Sequence, residues 1–288
     1  MANLQKSVPE NLPGEFFVDS TCIDCDTCRQ LAPATFGELS DYSYVHAQPK
    51  NEAERRLALH ALLACPTSSI GTVGKSSARE AMEDFPLPIE DGVYYCGFNA
   101  ESSFGANSYF IQHPEGNWLV DSPRYLPFLV KKFEALGGLK HIFLTHRDDV
   151  ADADKYAKHF GAKRIIHQAD TSALPDAEVQ LSGEDHVPFG KDFLVIPTPG
   201  HTRGHCVLLY RDRYLFTGDH LAYSRQKKHL VAFRNANWYS WPETVRSMEK
   251  LQNFSFEWIL TGHGQRIHLP EEQMRTEMAK VVTWMRSR

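Results

Sequence analysis

From residue 92 onward, apolar residues come in short β-branched and aromatic runs, at 108–112, 118–121, 141–145, 163–167, 193–196, 206–210, 214–217 and 258–261. Turn residues and stretches with helical spacing separate them, which predicts an α/β domain. The later helices carry clear start signals. Ser240 followed by Glu243 makes a capping box with Pro242 just inside, ahead of Val245, Met248 and Leu251. A second helix beginning at Pro270 places Met274, Met278, Val281, Val282 and Met285 on one face, a core stripe and not a cofactor box. Before residue 92 the pattern differs. Ala53, Leu57, Leu59, Leu62 and Leu63 recur at helical spacing over 51–64, whereas 71–91 has the Gly, Ser and Pro content of a linker with one short helix around 78–82. A boundary is expected at residue 76, giving units 1–76 and 77–288.

Composition narrows the classes. A chain of 288 residues, 42% hydrophobic and 23% charged, is about two domain lengths and can bury a core in each. Net charge is −5 and the only basic run is Arg225-Gln226-Lys227-Lys228, so no nucleic-acid footprint is expected. Residues 1–20 hold Pro9, Glu10, Pro13 and Glu15 without an apolar run, and no stretch is long enough to cross a bilayer. The expectation is a cytoplasmic protein with no membrane partner.

Cys22, Cys25 and Cys28 lie at equal three-residue intervals, and Cys65 is followed directly by Pro66. Four thiolates so spaced suit an iron–sulfur cluster; in the pattern C-x2-C-x2-C-x3-C-P the fourth cysteine serves a second cluster, and that place holds Ala32. One 4Fe–4S cluster on Cys22, Cys25, Cys28 and Cys65 is the natural count. Structural zinc and disulfides are the competing readings; zinc sites usually pair two C-x2-C knuckles, and a reducing compartment disfavours disulfides. Over about residues 14–73, including Asp24, Asp26 and the run from Cys65 to Ile70, the chain resembles the single-cluster bacterial ferredoxins. The resemblance implies a small α+β ferredoxin-like domain. Cys96 and Cys206 read as small buried apolar side chains.

A second signal is a series of polar residues placed directly after apolar runs. His146 follows Ile-Phe-Leu-Thr, His201 follows Val-Ile-Pro-Thr-Pro-Gly, Asp219 follows Tyr-Leu-Phe-Thr-Gly and His263 follows Trp-Ile-Leu-Thr-Gly. Imidazoles and carboxylates converging from strand ends suit a divalent metal. The order Thr145-His146, Pro199-Gly200-His201-Thr202-Arg203-Gly204-His205, Gly218-Asp219 and Gly262-His263-Gly264, over about residues 92–268, resembles the metallo-β-lactamase superfamily. That resemblance implies an αββα sandwich with the metal at one edge, His146 and His201 as ligands of a first site, Asp219 as a bridge and His263 as ligand of a second. It implies loop-orienting roles for His205 and Asp121.

The departures matter as much. The superfamily motif H-x-H-x-D-H becomes His146-Arg147-Asp148-Asp149-Val150-Ala151, so Asp148 replaces an imidazole and the closing Asp-His pair is lost. The first site is then His146, Asp148, His201 and Asp219. The second keeps Asp219 and His263, with Asp152 a candidate substitute. One well-held divalent metal, iron or zinc, is expected, and a weak or absent second. Two carboxylates already neutralise a divalent ion, so bound water would be less acidified than at an all-imidazole zinc, where it titrates near pH ~7. A carboxylate at this position resembles the flavodiiron proteins, and the His146, His201 and Asp219 set resembles the single-iron site of persulfide dioxygenases.

Three function classes follow. A hydrolase would direct metal-bound water at an ester, thioester or lactone, with Asp148 or Asp219 orienting the nucleophile. An oxidoreductase would pass electrons from the cluster, supplied by an electron-transfer partner, to a mononuclear iron. A redox-sensing or binding protein would keep a residual site. The loop after Asp219, with His220, Tyr223, Arg225, Lys227, Lys228, Arg234, Asn237 and Trp238, would suit a small anionic substrate; a solvated basic surface loop is the competing reading.

Overall fold

In the computed structural model, which describes residues 1–74 and 77–288, the amino-terminal part is built of short elements. Strand Phe16–Val18 pairs antiparallel with Ile70–Thr72, and Phe36–Leu39 forms a hairpin with Tyr42–Val45. The helical spacing over 51–64 is realised as helix Glu52–Ala64. The Asn51 side chain accepts from the Glu54 N–H, and a Glu54 carboxylate oxygen reaches back to Lys50 N–H, a reciprocal cap that fixes the start. The far end delivers Cys65, whose N–H still bonds to Ala61. The expected boundary falls on Ser76, outside the described residues.

The linker expected over 71–91 is more structured than its composition suggests. Ile70–Thr72 belongs to a strand pair, Arg79–Met82 is the expected short helix, and Leu87–Glu90 is the edge strand of a sheet. Pro86 and Pro88 hid that strand; a proline lacks the donor a central strand needs but is tolerated at an edge, and the pairing slips between Pro88 and Glu90.

The rest is an αββα sandwich. One seven-stranded sheet runs in the order Val179–Leu181, Lys163–His167, His141–Phe143, Trp118–Val120, Tyr109–Ile111, Val93–Tyr95, Leu87–Glu90. The six-stranded sheet runs Val187–Phe189, Phe193–Pro197, Cys206–Tyr210, Tyr214–Gly218, Trp258–Thr261, Ile267–His268. Alternation along the strands divides the core. Ile196, Val207, Leu209, Leu215 and Ile259 pack under helices Trp241–Leu251 and Glu271–Arg286, against Met248, Met274, Met278 and Met285. Their neighbours face the other sheet: Trp118 stacks on Phe193 at 4.4 Å and Tyr109 meets Phe216 at 5.4 Å between ring centroids. On the outer face of the first sheet, Phe110 stacks on Phe133 of helix Pro127–Ala135. The loops after Phe143, Pro197, Gly218 and Thr261 emerge together at one edge. Among the described residues no helix is long and apolar enough to cross a membrane.

Candidate metal centre and iron–sulfur cradle

At that edge His146, Asp148, His201 and Asp219 converge. One Asp219 oxygen, Oδ2, lies 3.6 Å from His146 Nε2, 3.6 Å from His201 Nε2 and 3.8 Å from His263 Nε2. Asp148 Oδ2 lies 3.4 Å from His201 Nε2 and 3.8 Å from His146 Nε2. Both imidazole Nε2 atoms are buried and without a hydrogen-bond partner. Two unpartnered lone pairs facing two carboxylates fit a divalent ion.

The tautomers are set from behind. His201 Nδ1 lies 2.6 Å from the Ala236 carbonyl oxygen, so it carries the proton and frees Nε2. Thr145 Oγ1 donates to Asp121 and therefore accepts at 2.9 Å from His146 Nδ1–H, freeing Nε2 there as well. Asp121 is thus placed to orient His146 through Thr145. Its carboxyl is pushed up to about 8 by burial, against the Thr145 hydrogen bonds. Burial likewise pushes His146 down to about 4. For His201 burial acts downward too, but the neighbouring Asp148 and Asp219 carboxylates and the Ala236 carbonyl together raise it. Asp148 is held below the usual carboxylate range, chiefly by His201. His205 stacks on His220 at 3.7 Å, both driven well below the usual imidazole range by burial. His220 Nε2 accepts from the His201 N–H and His205 bonds Thr198, so the pair props the loop from behind.

The four cysteines line one pocket. Asp24 and Asp26, at φ 58° and 68°, curl the chain around it, and Arg29 ties both carboxylates to the Ser43 hydroxyl. The Ser43 N–H points at Cys22 Sγ (3.4 Å) and the Ser69 N–H at Cys65 Sγ (3.3 Å). Burial pushes the Cys25 thiol up to about 11 and Cys28 well above the usual range, so thiolates here need bound iron to form. Cys96 and Cys206 are buried elsewhere as apolar side chains.

These arrangements have counterparts among known proteins. Residues 18–72 match the 4Fe–4S single cluster domain of ferredoxin I. Residues 103–263, more than half of the chain, match the metallo-beta-lactamase superfamily. The chain belongs to that superfamily. It is 28% identical over 266 residues to the probable metallo-hydrolase YflN of Bacillus subtilis, covering 72% of this chain and 100% of that protein. It is 32% identical over 118 residues to a hydroxyacylglutathione hydrolase of Acidiphilium cryptum, covering 40% of this chain and 48% of that protein, about half its length. The solved metallo-beta-lactamase of Hirschia baltica shares the fold at TM-score 0.53 and 13% identity, over 68% of this chain and 96% of that one.

Against the superfamily pattern, the structure corrects one expectation about the second ion. Asp152 does not reach the centre: its Oδ2 accepts from Tyr125 N–H at 2.7 Å and its Oδ1 pairs with Lys155 at 2.7 Å. The residue that turns inward is Asp149, 1% exposed. Arg147–Asp149 is a single 3-10 turn, whose three-residue period puts Asp149 on the side of His146; that spacing was the available signal. Asp170 was also missed. Fully buried, it accepts from Thr202 Oγ1, Gly204 N–H and Arg147 N–H, and so fastens the His201 loop to the His146 loop.

The centre opens into a cleft of about 1260 Å³ whose walls include Cys25, Arg29, Phe104, Arg147, Tyr223 and Trp238. Phe104, unremarked in the sequence, holds its ring 6.1 Å from that of His263, while Trp238 is 6.1 Å from His201. Of the loop after Asp219, Tyr223, Arg225, Lys227 and Trp238 line the cleft. Arg225 also donates to the Arg29 and Gln30 carbonyls, whereas Asn237 bonds Thr244 and His220 is buried behind the centre.

Proposed function

We propose that the chain is a metal-dependent hydrolase of an ester, thioester or lactone, residues 77–288 holding the reaction centre and residues 1–76 a 4Fe–4S cluster on Cys22, Cys25, Cys28 and Cys65. The supporting observation is the pair of buried, unpartnered nitrogens, His146 Nε2 and His201 Nε2, facing Asp148 and Asp219 beside an open cleft. A divalent ion there supplies Lewis acidity and a more acidic water. His146 and His201 present fixed lone pairs. Asp148, ionised at neutral pH, accepts a hydrogen bond from the attacking water and so orients it. Asp219 orients that water from the other side. Arg147 and Lys227 on the walls favour an anionic substrate, and the exposed rings of Phe104 and Trp238 give it apolar sides. A reducing cytoplasm suits the thiolates.

One observation favours a second reading. Cys25 opens onto the same cleft as the metal residues, and two imidazoles with carboxylates also suit iron(II), so a cluster-fed oxidoreductase would use the same residues. Anaerobic metal analysis with His201→Ala separates the two. Under the hydrolase reading, the variant loses the non-cluster ion and thioester hydrolysis while keeping its brown colour. Wild-type protein that hydrolyses no ester, thioester or lactone, but whose non-cluster iron is reduced through the cluster, would replace it with the second reading.

A further inference from the structure

The loss of the superfamily's Asp-His pair at Val150 and Ala151 leaves a gap that another residue fills. Asp149 lies one position upstream, 1% exposed, and its Oδ2 has no hydrogen-bond partner. Asp219 uses Oδ2 toward His146 and His201; its other oxygen, Oδ1, is also buried and unpartnered. The two free oxygens border one small space. A Cβ built on Gly262 would sit in it, 2.7 Å from Asp219 Oδ1 and 3.0 Å from Asp149 Oδ2, so the glycine keeps the space open. Ligand atoms of His146, Asp149 and Asp219 all lie within 4.8 Å of one another, which puts the Asp149 carboxylate at the metal edge beside the first position. His263, 20% exposed, stands beside the same carboxylate, its Nε2 3.8 Å from Asp219 Oδ2.

Charge points the same way. Asp148 and Asp219 already neutralise one divalent ion, and Asp149 adds a third carboxylate that is almost fully buried. A carboxylate so buried ionises only beside a cation, and the first ion's charge is already used.

We propose that Asp149, Asp219 and His263 hold a second divalent cation, with Asp149 standing in for the missing motif residues. This goes beyond the proposed function and rests only on its first metal position. The donor set, weighted to carboxylate oxygen with one imidazole, suits a hard or borderline ion such as Mn(II) or Fe(II).

Mn(II) is the probe, added to full-length protein stripped of its non-cluster metal, with the cluster kept oxidised and EPR-silent. Wild type should take up two Mn(II) and show an exchange-coupled spectrum. Asp149→Asn should keep one ion, give the six-line signal of isolated Mn(II) and bind the second at least tenfold more weakly. Gly262→Ala, which fills the space while every ligand residue is kept, should do the same; cluster absorbance and melting report that each variant is folded. Two outcomes overturn the proposal: a wild type that saturates at one six-line Mn(II), or two coupled ions in Asp149→Asn. If that single ion disappears in His201→Ala, the first site and the proposed function stand. A wild type that takes up no Mn(II), Fe(II) or Zn(II) sinks both.

Discussion

Gly105 packs directly on Cys25: a Cβ on Gly105 would lie 2.7 Å from Cys25 Cβ and 3.0 Å from its sulfur. Asn99 holds this contact by donating to the Gly105 carbonyl at 2.7 Å and to Thr27 Oγ1 at 3.1 Å. Phe104, the next residue back, reaches toward His263. The cluster cradle and the metal centre therefore share one wall, two residues thick.

Gly105→Ala should accordingly damage the cradle. The position is at φ +83° and the new methyl meets Cys25 and Pro66, so it combines backbone strain with overpacking, at a cost of about 1–3 kcal/mol. Faster loss of visible absorbance under a chelator and a lower melting temperature are expected. Gly74→Ala separates the two causes, because Gly74 shares the left-handed conformation, at φ +87°, but faces open space. It should leave the cluster intact.

The Asp121–Thr145–His146 chain predicts a metal effect from a residue that touches no metal. Thr145→Val keeps the shape and removes the acceptor of His146 Nδ1–H. Nε2 is then no longer held as the free lone pair, and affinity for Zn(II) or Fe(II) should fall about 10–100-fold. Isothermal titration measures this. Thr145→Ser, which restores the hydroxyl, should recover most of it.

Much of this was legible because it was local. His146, His201, Asp219 and His263 follow β-branched runs whose period forces them to strand ends, and the Ser240 cap and the methionine stripe at 274–285 fixed two helices. What escaped depends on distant contacts. Leu87–Glu90 is a strand only because a sheet edge accepts Pro88. Asp149 and Asp152 are chemically identical and three residues apart, yet one turns inward and the other meets Tyr125 N–H, a partner 27 positions away in sequence. Asp170 shows no motif at all; its role exists only once the loops at 147 and 202–204 meet.

Acid should loosen the joint between helix Glu52–Ala64 and the segment after it. Asp84 accepts from Arg56 and His60, each at 2.6 Å, and its carboxyl is held down to about 2, first by the Arg56 hydrogen bond. The folded value lies below the unfolded one, about 3.9, so the pairing stabilises fully above about pH 4 and is lost as pH falls toward 2. Asp84→Asn should lack this component. Its melting temperature should start lower at pH ~5 and fall less on acidification than that of wild type. Parallel curves would show that the pairing contributes nothing.

Asp152→Ala tests which acidic residue serves the metal centre. The substitution removes the acceptor for Tyr125 N–H, which anchors the turn before helix Pro127–Ala135, and the ion pair with Lys155. A hydrogen bond to a charged acceptor contributes about 1.5–3 kcal/mol, whereas the exposed Lys155 pair adds under about 1. A loss of about 2 kcal/mol in denaturant unfolding is expected, with Mn(II) stoichiometry and affinity unchanged within twofold. Because Asp152 faces Tyr125 and not Asp219, a variant of normal stability that has lost an ion would mean the carboxylate swings into the centre, and the geometry argued for Asp149 would be wrong.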